Sequence, residues 1–357
     1  MEIIFTKETQ WLQKWDDFVL SEDKASHLML AQWNATFSGY GFDFEVGILQ
    51  QDGQIHGGFA AVVAKAAMFR FYVVPYGPIV SEGFEKYLDE LVAKVPQRAR
   101  FWKCCYAHVS LPVAASPNRH VYPTLPELPS LVDAKPGQLF KYVYSGYGLN
   151  WVDLRKADST ESLLEMFKST TRRDIRSAER KGLELRFLET ADQIKLGYDL
   201  CLQNAEANQY SIRDWHAFGP DLIAMVNSGM AKFLGAFHEG DLKGAVLLLK
   251  GGNYYTYILG GSKRQKPDLL AGHFLQWQAI RFVFSEGCDG YNISLGGSAG
   301  VINLKNSFAD VQIVFENSKY HWVISPFYLK CYMFVESKLK RHKKTLARLF
   351  SVLKRKS

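Results

Sequence analysis

Between Asp289 and Asp310 the sequence reads GYNISLGGSAGVINLKNSFA, and a single residue of that run, Lys305, carries a charge. The glycines and serines predict a loop. A lone ammonium there is either a solvated surface charge or a cation held beside a group that turns negative during a reaction. For the second role, the absence of a nearby carboxylate matters, because nothing competes for the charge as water is excluded. Arg213, in NQYSIRDWHAF, presents the planar paired donors that suit phosphate. Arg172, Arg176 and Arg180 fall at i, i+4 and i+8 with Arg173 beside them. They read either as phosphate contacts or as a solvated face paired with Asp174 and Glu179. No His, Asp and Glu cluster has metal-ligand spacing, so no metal is expected. No Ser-His-Asp or Cys-His set marks a nucleophile.

The elements that must carry these residues repeat. Residues 44–80 and 231–263 share one pattern: a strand near a glycine (Gly47, Gly235), then a polar turn (Asp52-Gly53, Glu239-Gly240-Asp241). A strand opening on glycine follows (Gly57, Gly244), then a third apolar strand. Each copy ends in a glycine-containing loop and an amphipathic helix, about residues 82–96 and 268–286. The shared order points to a tandem duplication of half-chain period. Between the copies, residues 112–136 hold six of the twelve prolines, which marks a linker. Ser159 is a suitable helix N-cap; Leu163, Leu164, Phe167, Ile175 and Ala178 form an apolar face that stops at Gly182. A further helix is expected over about 191–206, and the second unit begins near residue 149.

The chain of 357 residues is long enough for two cored units. Its five cysteines are odd in number and form no CxxC, which reads as reduced thiols of a cytosolic protein. The N-terminus lacks the apolar core of a signal peptide, and no apolar run approaches the roughly 18 residues of a membrane span. Residues 338–357 hold nine Lys or Arg and no Asp or Glu, leaving 34 basic against 36 acidic residues in the rest. The positive excess thus belongs to the tail. On a helix its Leu339, Leu346, Leu349, Phe350 and Leu353 share a face. Such a helix can pack on the body, lie on an anionic bilayer or hold nucleic-acid phosphates.

Several stretches, in order, resemble the FemABX family: SHLMLAQWN (26–34), PYGPIV (75–80), VDLRKADSTESLLEMFKSTTRRDIRSAERKGLEL (152–185), NQYSIRDW (208–215), the helix with Leu275, Trp277 and Ile280, and GVINLKNSF (300–308). The resemblance spans nearly the whole chain, without the family's coiled-coil insertion. It implies an α/β fold of two tandem GNAT-like (acyl-CoA N-acyltransferase-like) domains, each a mixed central sheet flanked by helices. Residues 1–148 plus 320–357 would form the first domain and 149–319 the second. The implied activity joins an amino acid from aminoacyl-tRNA to an amine of a peptidoglycan precursor. That places the chain in the cytoplasm, or peripherally at the inner face of the membrane.

By the same resemblance Lys305 is the catalytic lysine, and Leu304 stands where the family often has an aromatic residue. Arg213 meets the precursor's diphosphate. Tyr255 or Tyr257 matches a tyrosine of that site, and Trp33 belongs to the QxxW-like stretch. Arg172, Arg173 and Arg176 would face phosphate or tRNA. Three family features are missing: a lysine after Trp33, an aspartate where this chain reads HVSLPV, and a tyrosine at Ala217. No cofactor is expected. Aminoacyl-tRNA is the co-substrate, and SKRQKPDLLAG (262–272) lacks the glycine spacing of a coenzyme A cradle. The rival readings are an acyl-CoA-dependent N-acyltransferase on the duplicated fold and a non-enzymatic scaffold at a membrane surface.

Overall fold

Two polar turns set the architecture. Asp52 (φ 52°) with Gly53 (φ 80°), and Glu239 (φ 52°) with Gly240 (φ 83°), both take the left-handed backbone that matches the twist of a tight hairpin. Each hairpin also carries a register shift two pairs above its turn, at Leu49/Gln50 and at Ala236/Phe237. The duplication read from the glycines is therefore also a duplication of backbone geometry. The computed structural model describes residues 1–114, 122–297 and 299–338. Apart from Lys338, the basic helix expected over 338–357 lies outside the described residues.

The strands in chain order are β1 (Glu2–Thr6), β2 (Asp43–Gln51), β3 (Gln54–Ala66), β4 (Phe69–Val74), β5 (Ile79–Val80), β6 (Tyr106–Ser110), β7 (Lys135–Pro136), β8 (Gly148–Asp153), β9 (Glu184–Phe187), β10 (Ala231–His238), β11 (Asp241–Lys250), β12 (Tyr254–Ser262), β13 (Gly290–Asn292), β14 (Val311–Val314) and β15 (Lys319–Val323). The first sheet runs β1-β2-β3-β4-β6-β15-β7, with β5 also on β3; the second runs β14-β8-β13-β12-β11-β10-β9. Both are mixed, with one parallel pair each: β4 with β6 and β12 with β13. Strand β15 pairs with β6 and β7, so the chain returns to the first sheet after completing the second.

The helices are α1 (Thr9–Ser21), α2 (Ala31–Ala35), α3 (Leu88–Phe101), α4 (Thr160–Glu165), α5 (Ser169–Glu179), α6 (Ala191–Ala207), α7 (Trp215–Asn227), α8 (Ala271–Ser285) and α9 (Ala299–Phe308). Two sequence expectations need correction here. Helix α3 does not stop at Pro96 but continues to Phe101. Leu91, Val92, Val95 and Ala99 bury one continuous face, which outweighs the single amide that proline removes. The helix expected to run from Ser159 to Gly182 is two helices, broken after Glu165. Ser159 does cap the first, accepting from the Ser162 amide at 3.2 Å. Among the described residues no helix is long and apolar enough to cross a membrane.

The halves meet without room to spare. A Cβ on Gly251 would lie 2.1 Å from the His27 amide nitrogen, and one on Gly39 would lie 2.4 Å from the Ala217 carbonyl oxygen. Tyr254 donates its hydroxyl to the Ala25 carbonyl at 2.8 Å, deep in an apolar cluster drawn from both halves.

Candidate active site

The second sheet opens where β12 outruns its neighbour. β12 and β13 pair only over Tyr254–Thr256 and Gly290–Asn292, while β12 continues to Ser262. A register shift opposite Leu247/Leu248 leaves Ile258 without a partner on β11, which bends the strand at the same point. Tyr257 sits just past the last β12–β13 pair, at the mouth of this opening.

Lys305 fills the gap, and here the structure departs from the expected loop. Lys305 stands in the last turn of α9. Val301, Leu304 and Phe308, at i, i+3 and i+7, supplied a helical signal that the glycines before it obscured. The lysine is only 4% exposed. Its ammonium donates to Ser294 Oγ and to the Gly296 carbonyl, both at 2.6 Å, and lies 4.8 Å from the Tyr257 ring centre. Among the described residues no carboxylate lies within ion-pair distance of it. Burial draws its pKa down from 10.5 to about 8. It is thus a desolvated cation on two neutral acceptors, able to turn a donor toward a newly formed anion.

A groove of about 370 Å³ adjoins this lysine through Tyr147. A Cβ on Gly296 would lie 3.7 Å from the Tyr147 hydroxyl, on the residue whose carbonyl holds Lys305. Gln138, Lys141, Val143, Tyr144, Ser145 and Lys319 complete the walls, with no carboxylate among them. The Lys319 ammonium sits 5.4 Å from the Tyr147 ring centre. Burial lowers its pKa, and the charge of Lys141 lowers it further. Two cations and two phenol rings suit an anionic ligand with a flat ring. Lys141, Tyr147 and Lys319 were not found from sequence, because the groove joins residues 138–147 to a strand nearly two hundred positions later.

Arg213 occupies the seam between the halves. Its guanidinium lies over the rings of Phe37, Trp33 and Phe218, at 4.3, 4.5 and 4.8 Å, and donates to Thr36 Oγ1. Among the described residues it has no carboxylate within ion-pair distance, and burial lowers its pKa. Trp33 is 8% exposed and backs the Arg213 guanidinium. No direct contact joins Arg213 to Lys305. Helix α6 joins the Arg213 segment to β12: Tyr198 donates to the Arg213 carbonyl at 2.7 Å, and the Asn204 side chain reaches the Gly260 carbonyl at 3.5 Å.

The other predicted residues sort by their surroundings. Tyr255 is 1% exposed and packs on Phe282 in the core, whereas Tyr257 lies beside the Lys305 ammonium. Leu304 packs against Gly272 at the start of α8. Arg172 donates to the Phe167 carbonyl at 2.6 Å and closes the end of α4, a structural role. Arg173 is exposed and pairs with Asp174 at 3.1 Å; Arg176 is exposed on the same helix. Glu179 bonds Trp277, not the arginines.

At the start of α8, where a pyrophosphate cradle would stand, the Asp268 carboxylate accepts from the Leu270 amide at 2.9 Å. In the first half the matching opening is closed by the chain itself. The Gly146 amide donates to Pro75 and the Ser110 hydroxyl to Gly146, while Gly77 bonds Ser110. His108, in the HVSLPV stretch, is fully buried, and burial lowers its pKa to about 3.

Two mixed sheets with splayed parallel pairs and flanking helices define a tandem acyltransferase fold of the GNAT type. Residues 166–299 match the family model of the acetyltransferase (GNAT) domain. No curated protein sequence matches the chain. Among solved structures, FemX is 15% identical, over 92% of this chain and 99% of that one, with a TM-score of 0.75. L-PGS from Bacillus licheniformis is 10% identical, over 93% and 96%, at 0.52. A tandem GNAT protein from the clavulanic acid biosynthesis pathway is 14% identical, over 91% and 99%, at 0.50. These likenesses are of fold, and the first agrees with the resemblance carried by the sequence motifs.

Proposed function

We propose that the chain transfers an amino acid from aminoacyl-tRNA to an amine of a peptidoglycan precursor, with Lys305 as the oxyanion-stabilising group. The observation that carries this reading is the burial of the Lys305 ammonium on two neutral acceptors beside the open end of the second sheet. In the reaction a neutral amine attacks the ester carbonyl. A C–N bond forms, the C–O bond to the ribose breaks, and the ribose oxygen leaves with a proton. Lys305 donates a hydrogen bond to the carbonyl oxygen as it becomes negative. The Lys141 and Lys319 groove supports a phosphate-bearing donor. Arg213, charged and without a carboxylate partner among the described residues, supports a diphosphate on the acceptor.

A second reading, acyl transfer from coenzyme A, is favoured by the match of residues 166–299 to an acetyltransferase domain. The Asp268 carboxylate at the start of α8 speaks against it, since it would repel a pyrophosphate there. The deciding experiment offers radiolabelled amino acids on a charged total tRNA pool, with labelled acetyl-CoA in parallel, to cell-wall precursors. Label from aminoacyl-tRNA that disappears in Lys305→Met supports the proposal. Label from acetyl-CoA alone replaces it with the second reading. No label from either leaves the scaffold role.

A further inference from the structure

After β15 the described residues 326–338 form a further helix, α10. Its inward residues Leu329 and Tyr332 pack in the cluster of Phe71 and Phe140. A surface helix ordinarily turns polar groups outward on its far side. This one turns phenyl rings outward: Phe327 and Phe334, two turns apart in line, are 72% and 63% exposed. The apolar surface continues onto the neighbouring segment, where Leu139 and Tyr142 are 42% and 54% exposed. Tyr142 donates to Glu336 of α10 at 3.2 Å, which ties the two segments into one patch.

Over α10 and residues 139–142 three lysines stand against one carboxylate, Glu336, which already accepts from Tyr142. Lys141, Lys330 and Lys338 are exposed there. Residues 338–357 then bring nine Lys or Arg and no Asp or Glu. A second copy of the chain would set like charge against like. A bilayer interface complements both features, since rings settle at headgroup depth while lysines reach lipid phosphates. We propose that the outward face of α10 and the adjoining residues 139–142 dock on an anionic lipid bilayer, assisted by the basic segment that follows. An apolar insertion and a polybasic segment are together the two signals that a stable peripheral attachment requires. This inference is independent of which acyl group the chain transfers.

The test sediments the full chain with vesicles of phosphatidylcholine containing phosphatidylglycerol, and with pure phosphatidylcholine vesicles, at low and high salt. Binding to the anionic vesicles alone, weakened by salt, is expected. Phe327→Ser with Phe334→Ser should lower partitioning by about tenfold or more. The unfolding temperature should hold, since both rings already face water. A control with the tail lysines Lys340, Lys343 and Lys344 changed to glutamine should also bind less. Three results would overturn the proposal: no partitioning, partitioning unchanged by the serine pair, or a serine pair that only converts a dimer to a monomer.

Discussion

Replacing Lys305 by methionine keeps an unbranched side chain one atom shorter and removes its charge, and the structure sets two opposing effects on stability. The fall of the lysine pKa from 10.5 to about 8 corresponds to a burial cost of about 3 kcal/mol. Methionine removes that cost. It also leaves Ser294 Oγ and the Gly296 carbonyl without their donor, at about 1 kcal/mol each. The variant should therefore be about as stable as the parent at pH 7, or about 1 kcal/mol more stable. The sign with pH follows from the lowered folded pKa. Below about 8 the lysine is charged in both states and the full burial cost is present. As pH rises from about 8 toward 10.5 the folded form loses its proton first, so the parent gains stability on the variant. Transfer should behave differently. Loss of one preorganised donor lowers turnover by about 10²- to 10³-fold. Parent turnover should also decline as pH rises through about 8, a limb that Lys305→Arg should shift upward. Single-turnover transfer and urea unfolding at pH 7 and 10 measure both. A variant several kcal/mol less stable at pH 7, or one retaining transfer within threefold of the parent, would refute the reasoning.

Other residues give shorter tests. Asp16 accepts from the Ala31 and Gln32 amides, yet burial raises its pKa from 3.8 to about 6. Its raised folded value makes the fold most stable below 3.8 and less so as pH rises to about 6. Asp16→Asn should remove this component, so urea midpoints of parent and variant should diverge between pH 4 and 6 and run parallel above. Gly251→Ala should destabilise by about 3 kcal/mol, read as a lower Tm, because its Cβ would meet backbone across the seam. Lys141→Ala with Lys319→Ala should raise the KM for a phosphate-bearing donor and flatten its salt dependence, with kcat little changed.

What the sequence disclosed followed from local rules. Asp52-Gly53 and Glu239-Gly240 announce their hairpins because few residues tolerate the backbone those turns need. Ser159 announces a helix start because its hydroxyl replaces a missing acceptor. Lys305 was legible as a lone charge but not as a helical residue, since Gly296, Gly297 and Gly300 outweighed the apolar spacing around it. The choice between Tyr255 and Tyr257 was not legible at all. Both tyrosines lie on β12, and what separates them is distant in sequence: Phe282 of α8 packs on Tyr255, while Tyr257 lies past the last β13 pair beside Lys305. The Lys319 groove shares this character: its parts meet because β15 returns to β6 and β7, a pairing that no local pattern encodes.

That return has a consequence for how the molecule is made. The strands β6 and β7 are joined in the first sheet only through β15, which follows every strand of the second sheet. During synthesis the ribosome must therefore add residues 137–323 before the first sheet can close. At about 5–20 residues per second that interval is roughly 10–40 s. Throughout it β6 presents a bare edge, while residues 148–314 already contain every strand of their own sheet. The later-made half can thus finish first, and the earlier-made half waits for it, in reverse of the order in which the ribosome delivers them.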